Sequence, residues 1–130
     1  MKIKVRKISP GYAEGKLVIS HTPISFLGDV DPRSGVIINE KNELYGKSIS
    51  GKIFAFPFGV GSTVGSYVIY QMKKYDTAPA AIINEHMEVI IAVGTIISEI
   101  PAVDGVIISE IDGFKYAKVN ATEGWLELEY

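Results

Sequence analysis

Apolar residues along this chain fall into short runs broken by turn residues, except in one central stretch where their spacing becomes helical. In the first fifty residues, Leu17-Val18-Ile19, Ile24-Ser25-Phe26-Leu27 and Val36-Ile37-Ile38 read as short strands. Gly28-Asp29-Val30-Asp31-Pro32-Arg33-Ser34-Gly35 reads as a loop, because proline presets the backbone for a turn and glycine closes it. Ile53-Phe54-Ala55-Phe56 is a continuous apolar run, the pattern of a strand covered on both faces. After the glycine-rich turn Pro57-Phe58-Gly59-Val60-Gly61-Ser62, residues Val64, Val68, Met72 and Tyr75 recur at helical spacing, with Ile69 widening the stripe. Lys73 and Lys74 close that helix where cations suit its dipole. Ala80-Ala81-Ile82-Ile83 reads as a second buried strand, so residues 53–83 have the size of a βαβ unit. Val93, Ile96, Ile97 and Ile100 predict a short second helix before Pro101. Val106-Ile107-Ile108, Phe114 to Val119 and Trp125 to Leu128 predict strands at the end, with Asp112-Gly113 as a hairpin-type turn between the first two. The predicted class is α/β: a mixed sheet with strands at both ends and a central βαβ-like unit. No internal repeat or linker divides residues 1–130, so one domain is expected.

Composition narrows the function. The 130 residues, 47% of them hydrophobic, can bury a real core and exclude a disordered tail. There is no cysteine, which removes disulfides, a thiol nucleophile and any iron–sulfur cluster held by this chain's own thiolates. Thirteen Lys and Arg against fifteen Asp and Glu give a net charge of −2, the wrong balance for a duplex-DNA or anionic-membrane binder. The basic start Met1-Lys2-Ile3-Lys4-Val5-Arg6-Lys7 has no apolar run behind it, so no signal peptide is expected. The longest apolar run, Val89 to Val93, is far short of the roughly 20 residues a membrane helix needs. A soluble cytoplasmic chain is therefore expected. Nineteen isoleucines beside one glutamine and four asparagines fit a heat-adapted source.

One constellation carries chemistry. Gly59-Val60-Gly61-Ser62-Thr63-Val64-Gly65-Ser66 lies between a buried strand and a helix. Its glycines allow a sharp turn and close ligand approach, and the free amides at a helix start make an anion site. Ser62 and Thr63 can each act as N-cap and each offers a hydroxyl there. An ordinary cap after a glycine turn has the same sequence signature. Two nucleotide motifs fail: the third glycine of a dinucleotide fingerprint counted from Gly59 is replaced by Val64, and Gly46-Lys47-Ser48 has Lys41 where a phosphate loop has its first glycine. His21 and His86 lack metal spacing, and Asp29 and Asp31 stand where Asx capping of a turn is expected. The Lys115, Lys118, Glu127 and Glu129 charges read as solvated strand faces. Phe56, Phe58 and Tyr67 flank the loop as core residues, any one of which could keep water from it.

Several blocks together point to a family. They are Pro23-Ile24-Ser25-Phe26-Leu27-Gly28, Val30-Asp31-Pro32, Gly35, Gly51-Lys52, Phe56-Pro57, Gly61-Ser62-Thr63-Val64-Gly65-Ser66-Tyr67-Val68, Ala78-Pro79-Ala80-Ala81-Ile82, and Ala92-Val93-Gly94 through Ile100-Pro101. In order and spacing, over residues 9–105, they resemble the aconitase-X swivel-domain family in its archaeal small-subunit form. The resemblance implies a swivelling β/β/α domain that works only beside a large subunit carrying an iron–sulfur (4Fe–4S) cluster. It implies a hydro-lyase that converts (R)-5-phosphomevalonate to trans-anhydromevalonate 5-phosphate on an archaeal mevalonate route to isoprenoids. The family's proton-acceptor serine falls on Ser62, with Gly61, Thr63, Val64, Gly65 and Ser66 around the substrate, and the partner's iron acts as Lewis acid. Bacterial relatives fuse both parts and act on hydroxyprolines. The loop in aconitase itself is similar to Gly-Ser-Ser-Arg; Val64 stands at the arginine's place, and Val60 where many relatives would carry Lys or Arg. Arg6 and Arg33 are the only arginines, so charge recognition is expected from the large subunit.

Three readings follow. The first is the catalytic small subunit. The second is a non-catalytic anion-binding or regulatory module that uses the same loop, or a swivel subunit for another hydroxy acid. The third is a purely structural interaction domain.

Overall fold

The computed structural model describes residues 1–130. The elements are β1 (Lys2–Lys4), β2 (Arg6–Ser9), β3 (Tyr12–Ile19), a single turn α1 (Phe26–Asp29), β4 (Ile53–Phe56), α2 (Gly65–Lys74), β5 (Ala81–Asn84), α3 (Val89–Ile97), β6 (Ala102–Asp104), a 3-10 turn (Ile108–Ile111), β7 (Tyr116–Asn120) and β8 (Trp125–Glu129). The strands form one mixed sheet in the order β1-β8-β7-β3-β4-β5-β6-β2.

The long strand β3 is the joint of this sheet. Its first part, Tyr12 to Lys16, pairs antiparallel with β7, and its last part, Leu17 to Ile19, pairs parallel with β4. The chain therefore builds a parallel half (β3-β4-β5-β6, edged by antiparallel β2) and an antiparallel half (β3-β7-β8-β1). Side chains alternate across a strand, so β4 and β5 feed two cores at once. Phe54, Phe56 and Ile82 face α2 and α3, packing with Val68, Ile69, Met72 and Ile91. Ile53, Ala55, Ala81 and Ile83 face the antiparallel half, packing with Ala117, Val119, Leu126 and Leu128. The layers are sheet on sheet on helix, the β/β/α arrangement.

The predicted βαβ centre is present as β4-α2-β5 with parallel register from Ile53–Ala81 to Phe56–Asn84. A second unit, β5-α3-β6, follows it. Other elements differ from expectation. Ile24 makes only an isolated bridge to Gly59, and Phe26 begins a helical turn, because Gly28 at φ +111° bends the backbone there. Val36 and Ile37 likewise form isolated bridges rather than a strand. The final parallel strand is Ala102–Asp104, and Ile108 lies in the 3-10 turn, so Asp112-Gly113 joins that turn to β7 and makes no hairpin. The hairpin is β7-β8, through Ala121–Gly124.

Helix faces also differ. In α2, Val68, Ile69 and Met72 are buried as expected, but Val64 and Tyr75 are exposed. In α3, the packed residues are Ile91, Gly94 and Thr95, while Val93, Ile96 and Ile97 face outward. Apart from Thr95 the helix is apolar all round, so its periodicity could not reveal which side packs. Gly94 decides it: a Cβ there would meet Ile69 Cδ1 at 2.7 Å and Ser66 Cα at 3.3 Å.

Candidate functional site

The glycine loop leaves the end of buried β4 and runs into α2. Its path is set by the block around Ile24, which the sequence places thirty-odd residues earlier. Ile24 N–H donates to Phe58 O (3.2 Å), and Val60 N–H donates back to Ile24 O (3.0 Å). Gly61, at φ +90°, lies against the Ser25 side chain so closely that a Cβ would collide with it. Ser25 is itself held, with its N–H donating to Asp29 Oδ2 (2.8 Å) and its hydroxyl to Leu27 O (2.8 Å). Asn39 Nδ2 donates to the other Asp29 oxygen at 2.9 Å.

Beyond Gly61 the backbone makes a tight turn. Gly65 N–H donates to Ser62 O (2.9 Å), and Ser66 N–H to Thr63 O (3.3 Å). Ser62 Oγ accepts the Val64 N–H at 3.1 Å, and Ser66 Oγ donates to Thr63 O at 3.0 Å. The N-cap is neither of the expected residues, Ser62 or Thr63, but Val64, which has no side-chain cap; the Ser62 hydroxyl closes only the turn that leads into the helix. Gly61, Ser62, Thr63 and Val64 are exposed, Ser66 is half-buried, and Gly65 is buried under Ile90 and Phe26.

Chemically, the loop presents a hydroxyl oxygen that already accepts one amide hydrogen, beside the amides of Gly61, Ser62 and Thr63, which donate to no acceptor in the chain. Such a set favours negative charge at or near Ser62 Oγ. No His, Lys, Asp or Glu side chain bonds to that oxygen; the Val64 amide is its one hydrogen bond. None of the four cavities in the chain is lined by residues 58–66. Phe56 is core, whereas Phe58 and Tyr67 are exposed, the latter 57%, and with Val60 and Val64 they give the loop an open apolar rim.

Other candidates are accounted for. Asp31 accepts Arg33 N–H (3.1 Å) and Ser34 Oγ–H (2.9 Å), the expected Asx turn. His21 sits between Glu43 (2.7 Å) and Asp112 (2.6 Å). Lys118 lies between Glu127 and Glu129 on the open face of the antiparallel half. No three His, Asp or Glu side chains gather as a metal site, and with no cysteine the chain offers no seat for an iron–sulfur cluster. No helix is long and apolar enough to cross a membrane. Ser25, which lies under Gly61, has no signal in the sequence beyond its place in the Pro23–Gly35 block.

A β/β/α chain that presents an open Gly-Ser loop at the head of a helix, with no cavity beside that loop, fits the swivel class of domain. A family model described as the aconitase X swivel domain matches residues 2–128, and the chain belongs to that family. It is 56% identical to the phosphomevalonate dehydratase small subunit of Methanosarcina mazei, covering 98% of this chain and 91% of that one. It is 50% identical to the protein of the same name from Thermococcus onnurineus, covering 99% of each. Among solved structures, a crystal structure of Thermococcus kodakaraensis aconitase X in its holo form superposes with TM-score 0.95 at 50% identity, over 100% of this chain and 99% of that one. A relative solved by solution NMR superposes with TM-score 0.90 at 41% identity over the full length of both.

Proposed function

We propose that this chain, as one swivel domain over residues 1–130, is the small subunit of a hydro-lyase that dehydrates (R)-5-phosphomevalonate to trans-anhydromevalonate 5-phosphate together with a large subunit. The names of its half-identical relatives support the activity and the two-chain assembly. The observation that carries the chemical reading is the exposed Ser62 hydroxyl, held by the Val64 amide at the head of α2.

In the reaction, a carbon beside the substrate carboxylate loses a proton and its neighbour loses hydroxide; a C–H and a C–O bond break, a C=C bond forms, and the proton and hydroxide together leave as one water. Ser62 Oγ takes the proton. An alkoxide is a strong base and needs stabilisation, which the Val64 amide and the N-terminal end of α2 supply. Gly61, Thr63, Val64, Gly65 and Ser66 form the cradle for the substrate, Gly65 by fixing where the helix begins. Because no ionisable side chain of this chain touches Ser62, the group that deprotonates it comes from the large subunit. The iron–sulfur cluster belongs there too, since nothing in this chain fits one. So does most recognition of substrate charge, because Val64 offers no cation.

The test is Ser62→Ala in the reconstituted two-chain complex. Turnover should fall by about 10²–10⁴-fold, the usual worth of a positioned proton acceptor. Loss of the exposed hydrogen bond from the Val64 amide should cost at most about 1 kcal/mol of stability. Turnover close to that of the unmodified complex removes Ser62 from the role.

A further inference from the structure

A group of cations without ion pairs lies away from the Ser62 loop, where β3 changes partner. An open cavity of about 490 Å³ is lined there by Lys16, Lys47, Lys52, Ser48 and the apolar Leu17, Val18, Ile19 and Leu44. Its size falls within the range of about 300–1,000 Å³ typical of small-molecule sites. Parallel pairing of Leu17 with Ile53 places the residues just before them, Lys16 and Lys52, level on adjacent strands. Both point away from the core that Leu17 and Ile53 enter, because neighbours alternate across a strand.

Like charges set side by side on neighbouring strands destabilise a sheet. Here a third lysine, Lys47, approaches from the Asn39–Ser48 segment folded over the joint, and none of the three takes part in an ion pair. The nearest carboxylate on β3, Glu14, shares the face of Lys16 two residues away, but it stands opposite Lys118 and makes no ion pair with Lys16. Lys52 Nζ donates to Ser48 O at 2.9 Å, which fixes its position and leaves its other hydrogens free. The arrangement thus sets three cations around a cavity with an apolar wall, and a multiply charged anion with a short apolar body would complement both parts.

We propose that this cavity binds a small organic phosphate, its phosphate among Lys16, Lys47 and Lys52 and its carbon body against Val18 and Leu44. The site shares no residue with the Ser62 loop and does not depend on the function assigned to that loop. Lysine acts as a point charge toward phosphate and tolerates several orientations, which suits a ligand held mainly by charge and shape.

The test uses the full-length chain, with amide NMR shifts followed during titration with butyl phosphate, inorganic phosphate and butanol in turn. Butyl phosphate should saturate, shift residues 16–19 and 44–52, and bind about tenfold more tightly than inorganic phosphate, a ratio in keeping with burial of a short alkyl group. Butanol should shift nothing at matched concentration. Lys16→Gln and Lys47→Gln, both at exposed positions, should each weaken butyl phosphate several-fold while leaving the rest of the spectrum unchanged. Absence of saturation, shifts centred elsewhere, or unchanged binding in both variants overturns the site. Equal affinity for inorganic and butyl phosphate overturns the organic class of ligand.

Discussion

At the scale of single residues, two ion-paired groups give the fold opposite responses to pH. His21 is pushed above the ordinary histidine value of 6.5 by its hydrogen bonds to Asp112 and then Glu43, against a smaller opposing effect of desolvation. The folded state therefore prefers the protonated ring. That contribution is complete below the ordinary value and fades as pH rises through the raised one. Asp104 is buried, which by itself raises its pKa, yet the Arg6 guanidinium at 2.6–2.7 Å and the Met87 amide at 2.8 Å hold it below the ordinary value of 3.8. Its contribution is complete above that value and is lost as pH falls through the lowered one. Melting temperature should therefore decline on both sides of a mildly acidic plateau, and His21→Gln should flatten only the alkaline side; a decline of the same size in that variant would clear His21. Gly61 is a second residue-scale case. A side chain there must adopt φ +90° and displace Ser25. Gly61→Val should reduce turnover of the complex far more than it lowers the melting temperature, and equal losses would show that Gly61 serves packing alone.

At the scale of elements, contact between α2 and α3 fixes the helix into which the Ser62 loop runs, and so adds to the hold of the Ile24 block on that loop. Gly94 lets the helices approach until Ser66 Cα and Ile69 lie against it. Gly94→Val overpacks this contact, which typically costs about 1–3 kcal/mol. Denaturant melts of the isolated chain should show that loss, and amide shifts should move at residues 62–69. Unmoved shifts there would mean the loop is set by the Ile24 pairing alone. The βαβ unit was legible because Ile53–Phe56 and Ala81–Ile83 are apolar at every position, a demand imposed only on strands covered from both sides. The strand readings of Ile24–Leu27 and Val36–Ile38 failed for the opposite reason. Those residues are buried singly between turns, and composition cannot separate a covered turn from a covered strand. Asp112-Gly113 is a sound turn signal, but a turn pair says nothing about whether the flanking segments pair with each other.

At the scale of the whole molecule, the Ser62 loop is open where a complete active site would be enclosed. Its surroundings include exposed Phe58, Val60, Val64 and Tyr67. Apolar groups clustered beside a polar centre mark a surface that another chain covers. Adding the proposed large subunit should slow amide exchange across residues 58–67 while leaving the β7-β8 hairpin unchanged. Uniform protection, or none, would detach the loop from the interface.

The sequence by itself determined the α/β class, the central βαβ unit, the loop that holds Ser62 and the absence of any thiolate seat for metal. These are matters of local pattern and residue chemistry, carried by spacing, glycine placement and the lack of cysteine. Only the tertiary structure decided that β3 joins two half-sheets, that Ser25 lies under Gly61, that α3 packs through Gly94, and that Lys16 and Lys52 stand level beside Lys47. Each of these depends on strand register or helix rotation. Register and rotation are fixed by contacts between segments distant in sequence, and no periodicity within one segment records them.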